Sequence, residues 1–310
     1  MMIRTFTPNP VLDLTLTVPT IRFNEMTRAA DVREDWGGKG FNVSRALRAL
    51  DVPSVAMGFL GGATGRKLQA GLNALGIDVA PVEIAGETRT NVVVAESDGE
   101  RYVKVNQSGP TIHPEEIARC LAQVDADARA GAWWALCGSL PPGVPVDLYA
   151  QLIAVIHAKG GRVVLDASGE PLRAGIAAGP DLVKPNAVEV EALTGGTIDD
   201  GNAAADAVDD LRALGARDAA ISLGDQGLVL AVGASRWWAR PPRIRARNPV
   251  GAGDALVAGL LVALSRDAAP VDVARWGVAA GTAAAQGEGV SVGARDEVRA
   301  IYQDVTMSEV

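Results

Sequence analysis

The sequence predicts an α/β protein built on a parallel sheet, with a small second sheet set apart from it. Three observations predict this. From about residue 37 onward, short apolar runs alternate with helical patterns, with Gly or Pro at the joins, as βα units do. Two stretches in the N-terminal third instead alternate apolar and polar side chains, the pattern of half-exposed strands. Of the 310 residues, 48% are hydrophobic, 4% are aromatic and 35 are glycine, which suits many Ala-, Val- and Leu-rich buried elements joined by tight turns.

Taken in order, the buried strands of the main sheet are expected at 55–59, 133–137, 162–166, 182–184, 219–223 and 228–232, each short and flanked by turn residues. Helices fill the gaps. Val43, Ala46, Leu47 and Leu50 fall on one helical face after Gly37 and Gly38, so a helix opens there. The alternating stretches are 14–18 with 28–36, and 91–96 with 101–105; Ser97-Asp98-Gly99-Glu100 joins the second pair as a hairpin turn. No internal repeat, low-complexity run or linker marks a boundary. The small sheet therefore reads as an insertion or lid, 14–36 and 88–106, on a body made of 1–13, 37–87 and 107–310.

Charge and composition exclude several functions. With 29 basic against 37 acidic residues the net charge is −8, the wrong sign for neutralising nucleic-acid phosphates. Cys120 and Cys137 are too far apart for a CxxC pair, and with His113 and His157 they make no zinc-type cluster. The residues after Met1 lack the apolar region of a signal peptide, and the longest apolar run, 255–264, is too short to span a bilayer. A cytoplasmic protein is expected.

Four segments carry chemistry. Asn248-Pro249-Val250-Gly251-Ala252-Gly253-Asp254 precedes an apolar helix, so backbone N–H groups and the helix dipole form a phosphate cradle. Asp254, held as a carboxylate by the same dipole, is placed to accept a proton from a substrate hydroxyl. The alternative is a helix start and nothing more. Gly37-Gly38-Lys39-Gly40-Phe41-Asn42 fails the Walker A pattern but offers close backbone approach, a cation and an amide to a polyhydroxylated or phosphorylated ligand; a loop with a solvated lysine is the bland reading. Thr88-Arg89-Thr90-Asn91 puts a guanidinium at the start of one small-sheet strand, with Arg28 and Lys104 expected on its other strands, three cations suited to a second phosphate. Lys184-Pro185-Asn186-Ala187-Val188-Glu189 spaces an amide and a carboxylate three residues apart, fit either for hydrated Mg²⁺ or for a capping box. Asp13 is expected at the end of the first strand, where ligands gather in open α/β sheets. Trp133, Trp134, Cys137 and His157 are assigned to packing.

The order of these segments resembles the motif series of the phosphofructokinase B family of ribokinase-like kinases, from Thr7-Pro8-Asn9-Pro10 to about Gly289, with Gly138-Ser139-Leu140-Pro141 and Ser222-Leu223-Gly224 with Gly227 between. The resemblance implies a three-layer α/β/α sandwich with a β-sheet lid that pairs with its counterpart in a homodimer. It implies that Asp13, Gly38, Lys39 and Asn42 hold sugar hydroxyls, that Arg89 holds the substrate phosphate, and that Gly251, Ala252 and Gly253 form the anion hole beside Asp254 as base; Arg28, Lys104 and Ser139 are expected as further substrate contacts. It also implies that Lys184, Asn186, Ser222, Gly224 and Gly227 line the ATP groove and that Asn186 and Glu189 organise Mg²⁺. The activity implied is transfer of the ATP γ-phosphate to fructose 1-phosphate, tagatose 6-phosphate or fructose 6-phosphate. A kinase for an unphosphorylated sugar or nucleoside, or a non-catalytic sugar-phosphate sensor, are the alternatives. One departure is Pro249, where many members of the family have Thr.

Overall fold

The computed structural model describes residues 2–98, 101–247, 250–287 and 293–310. The strands are β1 Ile3–Thr7, β2 Val11–Val18, β3 Asp31–Gly37, β4 Ser54–Leu60, β5 Asp78–Glu83, β6 Arg89–Glu96, β7 Tyr102–Val105, β8 Trp133–Cys137, β9 Arg162–Asp166, β10 Leu182–Val183, β11 Asp218–Ser222, β12 Leu228–Val232, β13 Ser235–Arg240 and β14 Thr306–Glu309. The helices are α1 Lys39–Ala49, α2 Gly62–Ala74, α3 Pro114–Asp127, α4 Leu148–Ala158, α5 Gly169–Ala177, α6 Ala187–Thr194, α7 Gly201–Ala213, α8 Ala252–Leu264, α9 Pro270–Gln286 and α10 Arg295–Asp304.

Ten strands form the main sheet in the order β14-β13-β12-β11-β10-β9-β8-β1-β4-β5. Strand β8 shows how it becomes the middle of three layers. Trp134 and Leu136 point into a core shared with α3, α4, α5, α6 and α7, whereas Trp133, Ala135 and Cys137 point into one shared with α1, α8, α9 and α10. A strand apolar on both faces needs cover on both. The protein is therefore a three-layer α/β/α sandwich. Among the described residues no helix is long and apolar enough to cross a membrane.

The sheet is parallel from β5 to β11, as expected, but β12, β13 and β14 add to it antiparallel. Gly224–Gln226 and Gly227, the latter at φ 95°, turn β11 straight into β12, so no crossover helix separates them. Strands β5, β13 and β14 escape the pattern in the sequence. β5 lies on the sheet edge with Pro81 inside it, and β13 and β14, at the opposite side, are polar at half or more of their positions.

The second sheet runs β3-β2-β6-β7. Its pairing puts Asp35, Asp13 and Asn91 in one cross-strand row and Arg33, Thr15, Val93 and Lys104 in the next. Strand alternation sends Leu14, Leu16, Val32, Val92, Val94, Val103 and Val105 to the other face. Two expectations are corrected here. Asp13 is inside β2 of the small sheet, not at the end of the first strand β1. Arg28 is not on a strand, because pairing with β2 begins at Asp31; it lies in the exposed connection between β2 and β3. Gly99 and Glu100 of the expected hairpin turn lie outside the described residues.

Candidate active site

The carboxyl end of the parallel sheet, the start of α1 and the start of α8 meet at one place. Gly251, at φ 84°, takes the left-handed conformation that lets the chain enter α8, and the N–H groups of Ala252, Gly253 and Asp254 in that first turn have no partner within the helix. A Cβ at Gly253 would meet nothing nearer than Lys184 Nζ at 4.0 Å, so the cradle is open and a cation stands beside it. Asn248 and Pro249, the leading residues of this motif, lie outside the described residues.

Asp254 is buried, and its Oδ2 accepts a hydrogen bond from Asn42 Nδ2 at 2.8 Å. Burial raises its pKa from 3.8 to about 6, with the nearby Asp166 adding to the rise, while the Asn42 bond, Lys39 and Lys184 oppose it. Lys39 Nζ donates to Asp166 Oδ1 at 3.1 Å, and Lys184 Nζ lies 3.4 Å from the same oxygen. Burial works against the Lys39 ammonium, yet Asp166 and Asp254 hold its pKa above the ordinary lysine value. The result is two ammoniums and two carboxylates packed around the cradle. Gly38, at φ 121°, packs on Thr7 and gives its carbonyl to Asn42 N at 2.8 Å, which aims the amide. Ser139 is exposed at the rim, after Gly138, whose Cβ position faces Lys39.

The small sheet, whose β3 runs straight into α1, carries a second polar group. Asn91 Nδ2 donates to Asp13 Oδ1 at 2.9 Å. Burial raises the Asp13 pKa; the Asn91 bond and Lys104 pull it down, Asp35 pushes it up, and Arg89 pulls it down. The Arg89 guanidinium is aimed by backbone carbonyls, donating to Gln107 O at 2.9 Å and Asn9 O at 3.0 Å, which fix it without neutralising it. Lys104 is on the same sheet face as Asp13, whereas the structure does not bring Arg28 to this sheet. Asp166 Oδ2, Asn42 Oδ1 and Arg89 Nε are buried with no hydrogen-bond partner among the described residues, polar atoms suited to a polar ligand.

A cavity of about 860 Å³ opens from the cradle, and Asn186, Ser222, Gly224, Gly227, Ala252 and Gly253 all line it, with Pro241, Ile244, Leu256 and Val278 as apolar wall. Asn186 bridges to Ser222 across the strand ends. Glu189 is elsewhere committed: its Oε2 accepts from Asn186 N and its N–H donates to Asn186 Oδ1, both at 2.9 Å, so the capping box at the start of α6 is real. Among the described residues no three His, Cys, Asp or Glu side chains gather as a metal cage. A magnesium ion shared with nucleotide phosphates needs only one or two carboxylates.

Sequence reasoning missed Asp166, Asn9 and Gln107. Asp166 had a signal: a carboxylate closing an apolar parallel strand at its carboxyl end, where ligands bind in such sheets. Asn9 and Gln107 act through a backbone carbonyl each, which no side-chain pattern reveals.

The family model of the pfkB family carbohydrate kinases matches residues 9–296. A 1-phosphofructokinase of Xanthomonas campestris pv. campestris is 38% identical over 275 residues, covering 86% of each chain. An ATP-dependent 6-phosphofructokinase isozyme 2 of Escherichia coli is 34% identical over 97% of each. The crystal structure of the Escherichia coli phosphofructokinase-2 in complex with potassium superposes with a TM-score of 0.92 at 32% identity, covering 97% of this chain and 98% of that one. The cradle, the buried carboxylate and the small sheet thus lie inside a match that takes in nearly the whole sequence, and the chain belongs to the pfkB family of carbohydrate kinases.

Proposed function

We propose that this chain transfers the γ-phosphoryl group of ATP to a hydroxyl of a phosphorylated ketohexose, fructose 1-phosphate, tagatose 6-phosphate or fructose 6-phosphate, to give a 1,6-bisphosphate. The observation that carries the reading is Asp254: a buried carboxylate, aimed by Asn42, one residue from an open anion cradle. The related proteins named phosphofructokinases support the substrate class.

In this reading the triphosphate lies along the cavity, with Ala252 and Gly253 N–H groups and Lys184 at its reacting end. The substrate hydroxyl gives its proton to Asp254 as its oxygen bonds to the γ-phosphorus and the bond to the β-phosphate oxygen breaks. A loose transition state asks little of the base until late, so a carboxylate suffices. Lys39 and Asn42, with Gly38, hold the sugar, and Asp13 takes a hydroxyl from the small sheet. Mg²⁺ would supply neutralisation of the donor phosphates; Glu189 Oε1 and the Asn186 amide N–H groups, which the capping bonds leave unused, would meet its water shell and the phosphates.

Arg89 and Lys104 hold the phosphate already on the sugar, and the small sheet, 14–36 with 88–106, acts as a lid. Its apolar face leaves Val32, Val103 and Val105 exposed, which supports pairing of two lids in a homodimer. Two free buried cysteines agree with a cytoplasmic location.

Arg89→Ala tests the phosphate reading. Loss of a charge-assisted contact lowers kcat/KM for the phosphosugar by about a hundredfold, and leaves the slow reaction with the unphosphorylated sugar unchanged. Equal losses on both would remove Arg89 from the phosphate site.

A further inference from the structure

The loop that follows β8, Gly138-Ser139-Leu140-Pro141-Pro142, has few groups to hold it in place. Two of its five residues are prolines, which bring no N–H, so the chain is tied at its ends. At the far end Ile112 N donates to Pro142 O at 2.9 Å and Val144 N to Pro141 O at 3.3 Å. At the near end the ties fall on Gly138, which stands at φ 108°. Its N–H donates to Asp166 O at 2.9 Å, and its carbonyl accepts a hydrogen bond from the Tyr149 hydroxyl at 2.7 Å.

Tyr149 enters from the first turn of α4 and is wholly buried, its Cβ 3.4 Å from the place where Gly175 of α5 would carry one. Burial raises its pKa well above the ordinary tyrosine value, with Cys137 and Asp166 adding to the rise, so the hydroxyl stays a donor. A buried carbonyl stripped of such a donor carries the cost of its lost hydration, which the loop relieves by moving. The moving part adjoins Lys39. A Cβ at Gly138 would stand 3.8 Å from Lys39 Cβ, and the same Asp166 that takes Gly138 N on its backbone takes Lys39 Nζ on its side chain at 3.1 Å. Ser139, the next residue, is exposed at the rim between the two ties. Neither Gly138, Ser139 nor Lys39 lines the cavity read as the seat of the triphosphate.

We propose that Tyr149 is a positioning residue for the sugar: its hydroxyl fixes the Gly138 carbonyl, and with it the direction in which Ser139 leaves β8 toward the substrate. The inference rests on the reading of Ser139 as a substrate contact. Tyr149 is buried beneath the loop, and its effect passes through Gly138.

Steady-state kinetics of the full chain with Mg-ATP and the fastest ketohexose phosphate test this, on Tyr149→Phe, Ser139→Ala and the Tyr149→Phe/Ser139→Ala double variant, each with its melting temperature. Tyr149→Phe keeps the ring and removes only the donor. It is expected to raise the KM for the sugar about tenfold while the KM for ATP stays within about twofold. The double variant should stay within about twofold of Ser139→Ala alone, because the group that Tyr149 positions is already gone. An unchanged sugar KM in Tyr149→Phe, with Ser139→Ala raising it, overturns the proposal alone, and so do losses that simply multiply in the double variant. An unchanged sugar KM in Ser139→Ala removes the reading beneath the proposal and the proposal with it. Equal rises in both KM values with a lowered melting temperature would make Tyr149 merely structural. Where Tyr149→Phe does not fold, Gly138→Ala, which strains the same peptide, decides by the same cycle with Ser139→Ala, an unchanged sugar KM counting against the proposal.

Discussion

Burial shifts the Asp254 carboxyl from 3.8 to about 6, and that shift has a sign for activity and another for stability. As a base it must be ionised, so kcat/KM declines below about pH 6, approaching tenfold per pH unit. For stability, the folded state binds the proton more tightly than the unfolded chain, so the favourable contribution is present at low pH and is lost as pH rises from about 4 to about 6. Above that window the buried charge costs the fold roughly 3 kcal/mol. Asp254→Asn is therefore expected to lower kcat by about a thousandfold and yet to raise the melting temperature by a few degrees at pH 7.5, with little change at pH 4. A variant that melts lower at pH 7.5 would contradict the electrostatics described here. Asp254 and Asn42 were legible in the sequence as members of two small-residue motifs. The charge balance between them was not, because Asp166 enters from a strand 88 residues before Asp254 (254 − 166) and only the fold brings the two together.

Helix α8 serves two purposes, and two of its glycines separate them. A Cβ at Gly259 would come within 2.3 Å of Trp276 O in α9, so Gly259→Ala forces the two helices apart and is expected to cost about 1–3 kcal/mol in chemical denaturation. A Cβ at Gly253 meets nothing nearer than 4.0 Å. Gly253→Ala should thus keep the wild-type unfolding midpoint while a methyl group intrudes on the cradle, raising the KM for ATP or lowering kcat by about tenfold. A destabilised but fully active Gly253→Ala would reverse these roles. At this scale the sequence was read well where apolar periodicity ran through a buried element, as in α1, α8, β8 and β9. It was read poorly at the sheet margins, where β5 contains a proline and β13 and β14 are polar at half or more of their positions. Arg28 failed for a related reason: an alternating pattern does not say where pairing stops, and here it stops at Asp31.

The whole molecule is a sandwich whose sheet ends hold the charges, with a small second sheet that has one polar and one apolar side. The apolar side predicts a dimer. Sedimentation at micromolar concentration should give twice the chain mass, and Val103→Lys with Val105→Lys should shift it toward the single chain; a wild-type monomer would leave the apolar side unexplained. The polar side predicts the substrate. The division of labour was readable in outline from alternation alone, whereas the parallel β2–β6 pairing that puts Asn91 beside Asp13 required the fold. The central claim, a kinase for a ketohexose that already carries phosphate, is tested most directly by kcat/KM with Mg-ATP across fructose 1-phosphate, fructose 6-phosphate, tagatose 6-phosphate, fructose, ribose and adenosine. One phosphorylated ketohexose is expected to lead every unphosphorylated acceptor by a hundredfold or more, roughly 2.7 kcal/mol of transition-state preference. An unphosphorylated acceptor in the lead would contradict the claim and take the phosphate role from Arg89.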